Sequence, residues 1–154
     1  MAKTLCIIYY SQSGTTEKMA YKIKEGAEKT GLKVTLKKVE QCSITDLLEA
    51  DSIAVGSPTY FSNVAWQIKK LVDESIVLYR KARSLENKTC GCFVSAGTSN
   101  DGKDCLRMLE VAFGVHHKMK MVPGIVLESK EAEQEGLQVC YHFGVRIAEK
   151  LVPR

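Results

Sequence analysis

Residues 4–16 read TLCIIYYSQSGTT: an apolar run, Leu5-Cys6-Ile7-Ile8-Tyr9-Tyr10, passes without a charge into Ser11-Gln12-Ser13-Gly14-Thr15-Thr16 and then into a helical pattern. A strand that is apolar at every position suits the centre of a sheet covered on both faces. A strand that opens through hydroxyls and glycine into a helix N-terminus can hold an anion, because the first helical amides lack carbonyl partners and the dipole there is positive. The bland alternative is a plain helix cap with an accidental run of small residues. Either way, residues 4–16 predict strand, loop and helix in that order.

Working outward, strands are expected at residues 4–10, 33–39, 52–57, 89–95 and 119–127. Between them lie helical periodicities. Over residues 16–30, Met19, Ala20, Ile23 and Ala27 form one stripe, and Gly31 supplies a left-handed stop. Over residues 64–76 the stripe is Val64, Ile68, Leu71, Val72 and Ile76. A third helix, capped by Asp101, runs towards Gly114 on Leu106, Leu109, Ala112 and Phe113. The last covers residues 131–150, and a short one lies near 43–49. Alternating strands and helices predict a three-layer, doubly wound α/β fold with a five-stranded parallel sheet. The second strand alternates and carries Lys33, Lys37 and Lys38, which suits an edge.

The 154 residues suffice for one domain, expected over residues 1–150, with 151–154 read as a tag remnant. The formal charge of +4 is mild, and no stretch interleaves basic with aromatic residues, which argues against nucleic acid. No apolar run approaches the ~20 residues that cross a bilayer, so a cytoplasmic protein without membrane partners is expected. None of the six cysteines forms a C-x-x-C pair, and Cys90-x-Cys92 suits neither zinc nor a redox dithiol. Buried reduced thiols are expected. His116-His117 lacks a legible third ligand, so a solvated loop is expected and no metal site. His142 reads as structural.

In such sheets ligands bind beyond the carboxyl ends of the strands. Three loops leave those ends, at residues 11–16, 58–63 and 96–102. The first lacks the lysine of a Walker loop, the three glycines of a dinucleotide fingerprint, the cysteine of a phosphotyrosine-phosphatase loop and the acidic residues of a receiver domain. A neutral cradle of hydroxyls and amides remains, suited to a phosphate monoester.

The run from Ile7 to Thr16, with Ala20 and Ile23 after it, resembles the phosphate-loop signature of flavodoxins. Val55-Gly56-Ser57-Pro58-Thr59-Tyr60-Phe61-Ser62-Asn63 looks like the second flavin loop of the wider flavodoxin-like superfamily. That superfamily includes NAD(P)H-dependent FMN and quinone reductases and the flavin domains of flavodiiron proteins. The resemblance covers residues 3–150 and implies the flavodoxin-like strand order 2-1-3-4-5, with FMN as cofactor. It implies that Ser11, Gln12, Ser13, Gly14, Thr15 and Thr16 hold the phosphate. It places Pro58, Thr59, Tyr60, Phe61 and Asn63 around the isoalloxazine ring. Ser95, Ala96, Gly97, Thr98 and Gly102 would close its other edge, with Asp101 as a further neighbour. A flat, partly apolar ring does want an aromatic neighbour and amide dipoles at its polar rim.

The chain lacks both the strand-5 insertion of long flavodoxins and the insertion that follows the second loop in longer quinone reductases. It is also slightly basic, whereas carriers of the family are typically acidic. Two redox readings follow. One is an oxidoreductase passing reducing equivalents from NAD(P)H to a quinone or flavin, with no catalytic acid or base needed. The other is a one-electron carrier docking to a redox partner. A third reading, a bare anion or partner site, would show no flavin absorbance. The loop Pro58-Thr59-Tyr60-Phe61 has no glycine. Forcing Pro58 or Thr59 into left-handed backbone would cost on the order of 1–3 kcal/mol, and Asp101 is the only carboxylate of the loops. Both points favour two-electron chemistry. Trp66 falls on the polar face of its helix, beside Lys69, Lys70 and Asp73. It is expected either to pack on lysine stems or to anchor a homodimer that partly covers the flavin.

Overall fold

The computed structural model describes residues 2–152. Five parallel strands form its sheet: β1 (Thr4–Tyr9), β2 (Lys33–Lys38), β3 (Ser52–Tyr60), β5 (Thr89–Ala96) and β6 (Lys120–Glu128). Their spatial order is β2-β1-β3-β5-β6, the doubly wound order expected, with a short β4 (Asn63–Val64) paired antiparallel to the end of β3. The register runs Leu5 beside Ser52 and Tyr9 beside Gly56, so β3 reaches past the end of β1, as far as Tyr60.

Alternation along β1 divides the core. Leu5, Ile7 and Tyr9 point to one face, where α1 (Thr15–Glu28) and α6 (Gln134–Leu151) bring Met19, Ile23, Phe143 and Ile147. Cys6 and Ile8 point to the other. There α2 (Ile44–Glu49), α3 (Trp66–Glu74), α4 (Ile76–Arg80) and α5 (Ser99–Glu110) supply Leu47, Ile68, Leu78 and Leu109. All six cysteines are free thiols, five of them buried. Burial pushes Cys6 and Cys105 up to about 11, and Cys140 to about 12, so none of these three is a ready nucleophile.

Four expectations differ from the structure. β3 continues three residues past Ser57, because its end is held by the hairpin to β4. The helix expected over 64–76 is two helices, and Val64 belongs to β4. Asp101 does not cap α5: Thr98 is the N-cap, its Oγ1 accepting from the Asp101 amide at 3.4 Å, and Asp101 lies in the first turn. Of the two histidines, His116 is exposed but His117 is buried on Phe113. The cause is a π-helical turn over Val111–His116, which inserts a residue into the helical phase. Of the expected tag remnant, Leu151 is the last residue of α6 and Val152 its C-cap, while Pro153 and Arg154 lie outside the described residues.

Candidate functional site

The three loops come together because β1, β3 and β5 are neighbours and end at one edge. In the first loop, Gly14 has φ +101 and ψ −12, a left-handed conformation that glycine accepts without a Cβ penalty. Its amide donates to Ser11 Oγ at 3.1 Å, which closes the loop on itself. No side chain caps α1, and its earliest amide with a backbone partner is Lys18 N–H, which donates to Gly14 O at 3.0 Å. The preceding amides, together with Gln12, Ser13 and Thr15 at the surface or half-buried, form an open set of donors. Such a set, on the positive end of a helix, fits a phosphate dianion.

Thr16 differs from its neighbours. It is buried, and its hydroxyl is 2.8 Å from Ser95 Oγ at the end of β5, so it ties the first loop to the third. The second loop is a two-residue hairpin turn. Phe61 and Ser62 sit at φ 52 and 62 between the pairs Thr59–Val64 and Tyr60–Asn63. Left-handed backbone in both central residues is the twist that a tight hairpin demands, and for a phenylalanine it is a strained one. The Phe61 ring is fully exposed at the tip. At the base, Ser57 Oγ donates to Pro58 O at 2.7 Å and accepts from the Ala65 amide at 3.0 Å.

Two further bonds join the loops across the site. Tyr60 O–H donates to Gln12 Oε1 at 2.7 Å, and Ser62 O–H donates to Asp101 Oδ1 at 2.8 Å. Burial also pushes the Tyr60 phenol above its ordinary range. In the third loop Gly97 and Thr98 are exposed, whereas Gly102 is buried where α5 meets β6. A Cβ on Gly102 would stand 2.3 Å from Val126 Cγ1, so the glycine lets α5 lie close to the sheet. Glu128, at the end of β6, accepts from the Ser99 hydroxyl and amide at 2.8 and 3.1 Å. These bonds, the hydroxyl first, hold its carboxyl below the usual range. All the residues expected at the site therefore lie on these three loops or at their bases. Sequence reasoning missed Ser57 and Ser62, which act on the backbone and on a carboxylate; Ser62 is the second residue of the Phe61-Ser62 turn, which no glycine marks.

Residues 7–144 match the family described as Flavodoxin. The chain belongs to the flavodoxin family. A flavodoxin of Aquifex aeolicus is 32% identical over 97% of this chain and 86% of that protein. An NAD(P)H dehydrogenase (quinone) of Sinorhizobium fredii is 30% identical over 79% of this chain and 70% of its own length. Among solved structures, the flavodoxin, WrbA-like protein from Agrobacterium tumefaciens superposes with a TM-score of 0.86 at 25% identity, covering 97% of this chain and 98% of that one. This flavodoxin-family chain is an FMN flavoprotein of electron transfer. The open amides and hydroxyls at α1 and the aromatic pair Tyr60-Phe61 fit the two ends of that cofactor. Among the described residues no helix is long and apolar enough to cross a membrane, and no group of three acidic, histidine or cysteine side chains could hold a metal ion.

Proposed function

We propose that the protein is a cytoplasmic one-electron carrier that holds FMN among the three loops and passes electrons to docking redox proteins. When bound, FMN supplies reversible electron uptake. The chain's own part is to bind and orient it. Ser11, Gln12, Ser13, Gly14 and Thr15, with the first amides of α1, take the phosphate. Thr16 serves from behind, fixing the cradle to Ser95. Pro58, Thr59, Tyr60, Phe61 and Asn63 flank the ring, and Ser95, Ala96, Gly97, Thr98 and Gly102 line its far edge.

The observation that carries this reading is the strained hairpin with Phe61 fully exposed at its tip. The expectation of hydride chemistry rested on the cost of left-handed backbone at Pro58 or Thr59, and both are extended in β3. The left-handed residues of this loop are Phe61 and Ser62, where the strain is already built into the fold, and one-electron exchange is proposed to draw on that turn rather than on Pro58 or Thr59. An exposed aromatic at the rim also suits a partner surface. The match to a flavodoxin over 97% of this chain and 86% of that protein, against 79% and 70% for a quinone dehydrogenase, supports the same reading.

A second reading, transfer from NAD(P)H to a quinone or flavin, is favoured by the 30% identity to that dehydrogenase and by a formal charge of +4, which does not repel an anionic nucleotide. Anaerobic titration with NADPH, NADH and dithionite separates the two. The carrier is bleached by dithionite and untouched by either nucleotide. Bleaching by a nucleotide at about 1 per second or faster establishes the reductase. In either reading Tyr60 and Phe61 quench flavin fluorescence by contact. Changing both to alanine is expected to restore most of the emission while the circular dichroism stays unchanged. Persistent quenching would move the stacking role to another aromatic. Trp66 is 70% exposed on the polar side of α3, and it is the anchor we propose for a homodimer; a strictly monomeric sedimentation profile removes it.

A further inference from the structure

The end of the sheet opposite the flavin loops, where β5 and β6 begin, gathers five exposed cations. They are Arg80 at the end of α4, Lys81 and Arg83 in the loop that follows, and Lys118 and Lys120 at the start of β6. Backbone bonds hold them to one corner. The Ser84 amide donates to Leu78 O at 3.0 Å, the Asn87 amide to Lys118 O at 3.1 Å and the Lys120 amide to Lys88 O at 2.9 Å. The Arg83 guanidinium lies 5.7 Å from the centre of the Tyr79 ring. A shared cleft, lined among others by Asp73, Ile76, Tyr79 and His116, sets α4 beside the π-helical turn.

Elsewhere cations are held by acids: Lys22, Lys37, Lys69 and Lys130 each have a carboxylate within 3.2 Å. Among the described residues none of the five corner cations forms an ion pair. Of the acids on the same elements, Asp73 and Glu74 are taken by Lys69 and Lys70, and Asp51 at the start of β3 is bonded to Thr4, which leaves Glu86. Five cations beside one free acid sustain a positive field. Strained backbone is gathered here too: Ala82, Arg83, Asn87 and Lys118 have φ between 50 and 71, and such strain collects where a surface is shaped for contact.

The corner also exposes aliphatic side chains. Ile76, Val77 and Val115 are 43%, 55% and 65% exposed. At about 100° per residue, Ile76, Arg80 and Val77 share an arc of about 100° on α4, while Leu78 points the other way into the core. Aliphatics ringed by unpaired lysine and arginine suit an anionic lipid surface, where the former enter the headgroup boundary and the latter meet the acidic headgroups. Protein interfaces are instead poor in lysine and rich in aromatics. The expectation of no membrane partner rested on the lack of a spanning segment, and a surface that is touched rather than crossed needs none.

We propose that this corner seats the protein on an anionic bilayer, with Ile76, Val77 and Val115 in the headgroup boundary and Arg80, Lys81, Arg83, Lys118 and Lys120 against the headgroups. β6 has nine residues, roughly 30 Å of strand, so the flavin loops stand at the end away from the lipid and stay open to redox partners.

The test sediments the FMN-loaded protein with vesicles of phosphatidylcholine alone or of equimolar phosphatidylcholine and phosphatidylglycerol. Protein is read by gel densitometry and flavin by visible absorbance, so attachment is scored separately from cofactor loading. Only the anionic vesicles are expected to carry the protein down, and added salt should release it. Lys81→Gln with Lys118→Gln removes two cations and is expected to weaken partitioning about 25-fold, about fivefold per cation. Lys38→Gln with Lys103→Gln makes the same change of net charge away from the corner and is expected to cost less than about twofold. Val77→Ser with Val115→Ser keeps every charge and is expected to cost about five- to tenfold. All six positions are exposed, except that Lys38 ends an edge strand, and unchanged circular dichroism verifies each fold. Equal sedimentation with the two vesicles, equal losses in the two lysine variants, or full binding by the valine variant would each overturn the proposal. So would soluble polyglutamate binding more tightly than the vesicles, which would assign the corner to an acidic protein.

Discussion

Alanine in place of Gly26 or Gly144 lowers the stability of the protein by about 3 kcal/mol, at the upper end of what an added methyl costs in a packed interior. A Cβ on Gly26 would stand 2.0 Å from Tyr141 O, and one on Gly144 would stand 2.1 Å from Ile23 O. Both neighbours are backbone atoms of the facing helix, so no rotamer change makes room and α1 must move off α6. Intrinsic helix propensity works in the opposite direction, favouring alanine over glycine by about 1 kcal/mol. The steric term is the larger, and the sign of the result decides the matter. Thermal denaturation should show the midpoint falling by about 6–12 °C for a chain of this size. Gly97→Ala is the control, since nothing lies within 4 Å of its would-be Cβ, and it should leave the midpoint in place. An unchanged or raised midpoint in the Gly26 variant would mean that the two helices do not meet as closely as described.

The second large effect concerns the cofactor. Ser13→Val removes a charge-assisted hydrogen bond to the phosphate and should weaken FMN by roughly 1.5–3 kcal/mol, about tenfold or more, with riboflavin affinity unchanged. Thr16→Val should behave differently. It strands the buried Ser95 hydroxyl 2.8 Å away, costs about 1–3 kcal/mol of stability, and loosens FMN and riboflavin together. Flavin fluorescence titrations of both ligands against both variants give four numbers with one expected pattern. Equal losses of FMN and riboflavin in the Ser13 variant would place the phosphate elsewhere.

The layers were legible because the apolar runs of β1, β3 and β5 follow the pattern of strands covered on both faces, and because the stripes Met19-Ala20-Ile23-Ala27 and Ile68-Leu71 keep helical spacing. Where the pattern misled, a local device had broken it. The hairpin to β4 was hidden because its turn is Phe61-Ser62, without the glycine or asparagine that usually marks such turns. Asp101 looked like a helix cap by residue type, yet Thr98 three residues earlier has the extended backbone a cap requires. His117 was expected in a solvated loop because no third ligand is legible beside His116-His117, and the π-helical turn, which no residue type marks, carries it into the interior. At the site, the loops could be named from glycines and hydroxyls, but not the bonds between them. Tyr60 to Gln12 and Ser62 to Asp101 span 48 and 39 residues, and no periodicity encodes a pairing at that distance.

Those bonds, with Thr16 to Ser95, close a circuit: each loop leaves a different strand, and each is hydrogen-bonded to another loop or to the base of one. Residues joined in this way do not contribute independently. Cutting Ser62 from Asp101 relaxes the hairpin, and with it the position of Tyr60 against Gln12, so a second cut at Gln12 finds less left to lose. The free-energy changes of paired substitutions around the circuit therefore fall short of the sums of the single ones, whereas pairs that combine one of these residues with a distant surface position add. The cofactor cradle thus behaves thermodynamically as one element with three attachments to the sheet.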